Sequence, residues 1–457
     1  MKNKFSIVFL LIFTMSFSNV SLPNFFSDNM VLQRNATFKL WGWANPNEEI
    51  IIKPSWNNEE YKTKASNQAS WSIEIPTLKE GGPYTISIKG YNEIIFKNIL
   101  LGEVWLCSGQ SNMEMSAAWG IKNGEEEIQK ANHSTIRFFS VPKLTANSPQ
   151  INLPGKWEEC SSESMRNFSA VAYFFATRLQ EELKNVPIGL IHSSWGGSPA
   201  EVWIEEDVIK NDKNLNDAAQ KIKDNEWSPT QPAQTFNAMI HPFIGFKMAG
   251  VLWYQGESNV GSTVYDQTLS ALIASWRKAW KVDFPFYYVQ IAPYDDGHQH
   301  FASVEIRNAQ RKVLQQTKNT GMVVISDVGD IKDIHPKDKK SVGVRLANLA
   351  LSATYKTNSN LVNGPLYKEV IVKKNKVHVA FDFSEGLYFK NNNNSQFEVA
   401  GSNGIFHTAK ATIKNNQVIV YSSNVKEPVK VRFAWQNQAE SELFNQANLP
   451  ASSFVSE

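Results

Sequence analysis

The chain has 457 residues, 42% of them hydrophobic, and its 46 basic and 44 acidic side chains leave a formal charge of +2. That length and apolar content are those of a globular protein of two or three domains and exclude a disordered or fibrous one. Because the charges nearly cancel and Lys and Arg are scattered rather than gathered into stripes, nucleic acid and anionic membrane surfaces are poor candidates for partners.

Lys2 and Lys4 precede an apolar run from Phe5 to Phe13, and small or polar residues (Ser16, Ser18, Asn19, Ser21) follow before Pro23. This is the layout of a secretory signal peptide, placed here at residues 1–20, and it predicts a secreted or periplasmic protein. The run is shorter than the roughly 20 residues a spanning helix needs, and no other apolar stretch is long enough, so no membrane span is expected once the signal is removed. With no cysteine in the first hundred residues, a lipid-modified cysteine is excluded. The two cysteines, Cys107 and Cys160, either form a bridge that braces the strand ahead of Ser111 or pack as thiols.

Residues 21–98 read as a small antiparallel β-sandwich: Thr37–Trp43, Glu49–Lys53, Ser70–Ile75 and Tyr84–Lys89 alternate apolar and polar residues, with Asn45-Pro46-Asn47 and Gly81-Gly82-Pro83 as turns. From 99 to 360 apolar strands alternate with helical text. Strands are expected at Ile99–Leu106, Val186–His192, Met248–Tyr254, Phe286–Ile291 and Met322–Ser326, and helices at Phe168–Leu179 and Ser341–Ala350. The pattern predicts a mainly parallel α/β sheet covered on both faces. Residues 361–457 return to strands (Val370–Val372, Lys376–Phe381, Gln396–Ala400, Gln417–Tyr421, Val429–Trp435) and read as a second β-sandwich. The run Asn391–Asn394 is a solvated turn.

An open α/β sheet gathers its site at the C-terminal strand ends. There the chain places Gly109-Gln110-Ser111-Asn112-Met113, Gly196-Gly197, Gln255-Gly256-Glu257-Ser258-Asn259, and the loop Asp327 to His335. A serine hydroxyl needs an imidazole to take its proton, a group to orient that imidazole, and donors facing the developing oxyanion. Ser111 is the candidate nucleophile and His335, in Asp333-Ile334-His335-Pro336, the candidate base. His192 and His241 rank below it. Asp333 is the candidate acid, with Asp330 or a backbone carbonyl as the alternative. No zinc-ligand spacing and no phosphate loop is present, so hydrolysis is expected to be metal-free and to use no cofactor. Of the 14 tryptophans, Trp41, Trp43 and Trp71 are assigned to sandwich cores, and Trp195 and Trp253 to a cleft wall suited to a sugar ring.

The blocks Gly102–Met113, Ser193–Glu201, Trp253–Asn259 and Asp333–Pro336, in this order, resemble those of the sialate O-acetylesterases, within the SGNH (GDSL-like) hydrolase superfamily. The resemblance covers nearly the whole mature chain. It implies a three-layer α/β/α hydrolase flanked by β domains, whose partner is an acetylated sugar or glycan and whose Ser111 and His335 are nucleophile and base. It further implies an oxyanion hole from the backbone N–H groups of Ser111 and Gly197 with a side-chain amide as third donor. The superfamily takes that amide from a Gly-x-Asn-Asp block, which this chain lacks, so Gln255 is assigned, with Asn259 as the alternative. The superfamily's acid stands three residues before its histidine; here that position is Lys332, which leaves the third triad member open.

Met113 stands where the nucleophile elbow of an α/β-hydrolase has its second glycine, which excludes that fold. The expected substrate is O-acetylated sialic acid, with acetylxylan or another polysaccharide as the alternative and a non-catalytic glycan-binding protein as the reading from another class. Arg307 is the candidate partner for a sialic acid carboxylate, against a helix-surface salt bridge.

Overall fold

The computed structural model describes residues 19–57, 59–295, 297, 300–391 and 396–457. The apolar N-terminal run and Asn392–Asn394 lie outside the described residues. Val20, assigned above to the end of the signal peptide, is buried in the first hydrophobic core.

The alternating N-terminal runs form β1 (Val31–Gln33), β2 (Thr37–Trp43), β3 (Glu49–Pro54), β4 (Tyr61–Lys64), β5 (Ser70–Pro76) and β6 (Gly81–Lys89). β2 pairs with β5, while β4, β3 and β6 pair antiparallel and continue onto β7, Glu93–Gly109. Alternation turns Phe38, Leu40 and Ile75 of one layer toward the same core as Ile50, Ile52, Ile86 and Ile88 of the other. Trp71 is buried in that core and Trp41 packs against it.

No break separates this region from the next. β7 is one strand of 17 residues. Its first part pairs with β6 and β1, and Glu103–Gly109 pairs with the parallel strand that follows the first long helix. Asn98, at the expected boundary, takes φ +57°, a left-handed conformation that asparagine tolerates, and the pairing with β6 continues past it to Leu101.

The central sheet adds β8 (His133–Ser140), β9 (Trp157–Cys160), β10 (Ile188–Ser194), β11 (Gly250–Tyr254), β12 (Phe286–Val289) and β13 (Thr320–Val323) in the order β13-β12-β11-β7-β10-β8-β9. All its pairings are parallel except β8 with β9. Period 2 builds two cores. Val104, Leu106, Val251, Trp253 and Phe286 meet helices Tyr265–Trp280 and Ala302–Gln316 on one face. Trp105, Cys107, Leu252, Tyr254 and Tyr287 meet Ala170–Leu183 and Lys339–Ala353 on the other. The result is the expected three-layer α/β/α arrangement. After β7 the chain builds β8 to β10 on one side and then crosses to β11 to β13, so β7 is the switch point where such sheets open a crevice.

Beyond Leu366 two four-stranded antiparallel sheets enclose a third core containing Val379, Phe397, Val418, Phe433 and Phe454. Arg307 fastens this unit to the α/β body. It is 0% exposed, and its guanidinium donates to the carbonyls of Asn437 (3.0 Å) and Gln436 (2.5 Å). It is therefore neither a cleft residue nor a surface ion pair. Burial pulls its pKa down to about 9. Arg307→Ala removes both of these charged hydrogen bonds to the C-terminal unit and is expected to cost about 3 kcal/mol of stability, read as a lower urea midpoint at unchanged slope.

Candidate active site

Three loops leave the sheet at one level. Gly109 at the end of β7 lies opposite Ser194 of β10 and Tyr254 of β11. Gly109 has φ +138°, and a Cβ there would stand 2.2 Å from the Tyr254 carbonyl oxygen, so only glycine fits. The turn it makes lets the Gln110 N–H donate to Tyr254 O (3.0 Å) and the Trp195 N–H donate to Gly109 O (3.1 Å). The Gln110 side chain then accepts from the N–H groups of Gly256 (3.4 Å) and Ser258 (3.2 Å), binding the first block to the third. Ser111 opens the short helix Ser111–Glu114, so its N–H has no intrahelical acceptor.

The fourth loop arrives from beyond β13. It ends at Asp338, which caps the helix Lys339–Ala353 by accepting from the Ser341 N–H (3.0 Å). His335 Nε2 stands 2.9 Å from Ser111 Oγ, although the two are 224 positions apart. With the hydroxyl donating, Nε2 accepts and the ring proton sits on Nδ1. Burial lowers the imidazole pKa and the Lys339 charge lowers it further, against an opposing pull from Asp333. The net effect favours the ring's neutral, proton-accepting form. On the other side, Gly197 has φ +79°, its carbonyl accepts from Ser228 Oγ (3.0 Å), and its N–H has no partner among the described residues.

Comparison with known proteins follows the same geometry. Residues 101–352, more than half the chain and including all four blocks, match the family described as carbohydrate esterase, sialic acid-specific acetylesterase. The chain belongs to this family. It is a hydrolase acting on carbohydrate esters. Human sialate O-acetylesterase is 28% identical over 415 residues, covering 82% of this chain and 79% of that protein. The mouse sialate O-acetylesterase is 26% identical over 502 residues, covering 94% and 93%. A carbohydrate acetylesterase from Xanthomonas citri, of known crystal structure, superposes with a TM-score of 0.87 at 33% identity over 96% of this chain and 99% of that one.

Within this esterase the other sequence candidates take different places. Asp333 does not hold the imidazole ring: its Oδ1 accepts from the backbone N–H of His335 (2.9 Å). Asp330 accepts from the Lys332 N–H (2.9 Å), and Asp327 pairs with Arg345 through two contacts of 2.7 Å. Among the described residues Nδ1 of His335 has no hydrogen-bond partner, so the contribution of Asp333 is to fix the loop and to place a negative charge near the ring.

Gln255 is corrected too. It is fully buried, its amide nitrogen donates to Asn259 Oδ1 (2.7 Å) and Ser198 O (3.3 Å), and its amide oxygen accepts from Tyr265 (2.8 Å). Asn259 accepts from the Ala200 N–H (2.9 Å) and donates to Glu201 (2.9 and 3.1 Å). A buried amide must satisfy its own polar atoms, and both do so within the protein, so neither amide is open to an oxyanion.

His192 is half-buried with Nε2 2.6 Å from Ser194 Oγ, and desolvation of its ring lowers it to about 4. His241 meets Gln150 O (2.7 Å). Trp253 is wholly buried between the edges of Trp203 and Trp276 rather than in a cleft, whereas Trp195 is half-buried with Nε1 on Trp227 O (2.8 Å). Cys107 and Cys160 are buried free thiols and not a bridge; burial pushes Cys160 up to about 12 and Cys107 higher still.

Two indoles escaped the sequence reading. Trp119, 51% exposed, sets its ring 6.3 Å from the His335 ring, and Trp227, 70% exposed, lies against Gly197. Neither carries a periodic signal, because Trp119 ends a 3-10 helix of three residues and Trp227 sits in a loop. Glu114 was also missed: it accepts from the Gly196 N–H (2.6 Å) and pairs with Lys143 (2.6 Å). A cleft of about 530 Å³ opens beside His335, Asp330 and Lys337, and another of about 460 Å³ beside Gly197 and Ser258. Among the described residues no group of three or more His, Cys, Asp or Glu is placed to hold a metal ion. Gln255→Ala is expected to lower stability by about 1–3 kcal/mol and to reduce kcat on p-nitrophenyl acetate by much less than the roughly hundredfold lost with an oxyanion donor. Chemical denaturation and steady-state kinetics on one preparation check both.

Proposed function

We propose that this esterase removes acetyl groups from sugar hydroxyls through an acetyl-enzyme. Ser111 Oγ attacks the acetyl carbonyl while His335 Nε2 takes its proton. The N–H groups of Ser111 and Gly197 receive the oxyanion; the imidazolium then protonates the departing sugar oxygen, and a water activated by the same imidazole releases acetate. The observation that carries this reading is the 2.9 Å contact between Ser111 and His335. Asp333 positions the His335 backbone and opposes the depression of the ring's pKa. The pair therefore works as a dyad on a fixed loop.

For the sugar we infer O-acetylated sialic acid, on the strength of the relatives named for that activity. Arg307 being elsewhere, the exposed Lys337 on the cleft beside His335 is the cation open to its carboxylate. Acetylxylan or another neutral acetylated polysaccharide is the second reading, favoured by the similarity to an acetylesterase described only as acting on carbohydrate. The basic, apolar and polar order of the N-terminus supports export to the periplasm or medium.

Ser111→Ala should reduce acetate release from p-nitrophenyl acetate to background; equal rates for wild type and variant would sink the esterase mechanism. Since the imidazole must be neutral to act, kcat/KM should rise with pH and reach half its plateau below the ordinary histidine pKa of about 6.5. Trp119 flanks the base, with its exposed ring 6.3 Å from that of His335. Trp119→Ala should therefore raise KM for acetylated sugars about threefold or more, a stacking contact's worth, with turnover of p-nitrophenyl acetate unchanged.

A further inference from the structure

One buried side chain touches the loops of both Ser111 and His335. Asn112, 0% exposed, donates from Nδ2 to the Ile334 carbonyl (3.0 Å) and to Glu257 Oε1 (2.6 Å), and its Oδ1 accepts from Lys339 Nζ (2.6 Å). It thereby joins the nucleophile loop, the histidine loop and the loop after β11. Lys339 is also 0% exposed, and its ammonium lies 5.3 Å from the centre of the Tyr254 ring. Among the described residues the Tyr254 hydroxyl and Glu257 Oε2 are buried atoms without hydrogen-bond partners.

A buried ammonium whose hydrogen-bond acceptor is a neutral amide is costly to keep. We infer that Asn112, Lys339 and Glu257 form a positioning network that holds the Ser111 and His335 loops in reach of one another and keeps the His335 imidazole neutral. This rests on His335 being the base. Asn112 supplies the geometry: its neighbour is Ser111, and the carbonyl it grips precedes His335. Lys339 supplies the field.

The groups acting on Lys339 are Glu257 and Asp333, which favour its charge, and burial, which lowers it to about 7. Below pH 6.5, where histidine titrates, it therefore still carries a positive charge. That charge disfavours a second one on His335, whereas Asp333 favours it. Glu257, its carboxyl raised by burial, faces Lys339 and Asn112. Burial is the larger cause of the base's low proton affinity, and the Lys339 charge adds to it against the pull of the Asp333 carboxylate.

The test is the titration of the His335 ring followed by NMR in Lys339→Met, its signal assigned by loss in His335→Gln. Removing the charge should raise the His335 pKa by about half a unit or more. It should also move the acid limb of kcat/KM upward by the same amount and lower kcat about tenfold with KM within twofold. Lys340→Met, which removes an exposed neighbour paired with Glu127, should change none of these. Lys339→Gln keeps a donor for Asn112 without the charge and serves if Lys339→Met does not fold: it should show the same pKa rise with a smaller loss of kcat. An unmoved imidazole titration overturns the electrostatic role, and an unmoved kcat overturns the positioning role. Because the titration needs no substrate, it is read even if wild type fails to hydrolyse acetyl esters.

Discussion

The candidate site depends on three parallel strands ending level. Gly109, Ser194 and Tyr254 share one row of the sheet, so the loops that follow begin within hydrogen-bonding distance and tie to one another through backbone groups. The Tyr254 carbonyl accepts from Gln110, and the Gly109 carbonyl accepts from Trp195. A one-residue slip in either pairing would turn the alternating core residues to the wrong face. Packing of the two cores therefore enforces the same register that brings the loops together. The left-handed backbone at Gly109 is a consequence of this closeness, since the next strand's carbonyl leaves no room for a Cβ.

Around that row the polar chemistry is unusually deep. Gln110, Asn112, Gln255, Asn259, Glu201 and Lys339 are all buried, and Glu257 is half-buried. Buried polar groups must find partners inside the protein, and most of these do, in chains that run from one loop to the next. This is why conspicuous amides in the sequence blocks are structural cross-links rather than open donors. Among the described residues the backbone N–H groups of Ser111 and Gly197 have no acceptor, because one begins a helix and the other sits in a left-handed turn.

The order and type of the secondary structure were legible because strand and helix periods are local properties. Apolar strands at 186–192, 248–254 and 286–291 reappear within two residues at each end, and the helix expected at Ser341–Ala350 extends to Lys339–Ala353. What periodicity could not express was a strand serving two sheets. β7 passes from the N-terminal layers into the centre of the α/β sheet, and the first core is shared between them. Arg307 was misjudged for a related reason: its contact is to carbonyls of a unit folded from residues more than a hundred positions later.

Residue types and spacing by themselves determined the α/β/α class, the flanking β regions, and the pairing of Ser111 with His335 as candidates, since strand-end glycines and loop histidines mark chemistry through local sequence. Side-chain direction belonged to the tertiary structure. Whether Asp333 reaches a ring or a backbone, whether Gln255 faces the site or a core, and whether Trp253 lines a cleft are questions of burial. Burial is set by which distant segment packs on top, and no local pattern in a chain encodes that.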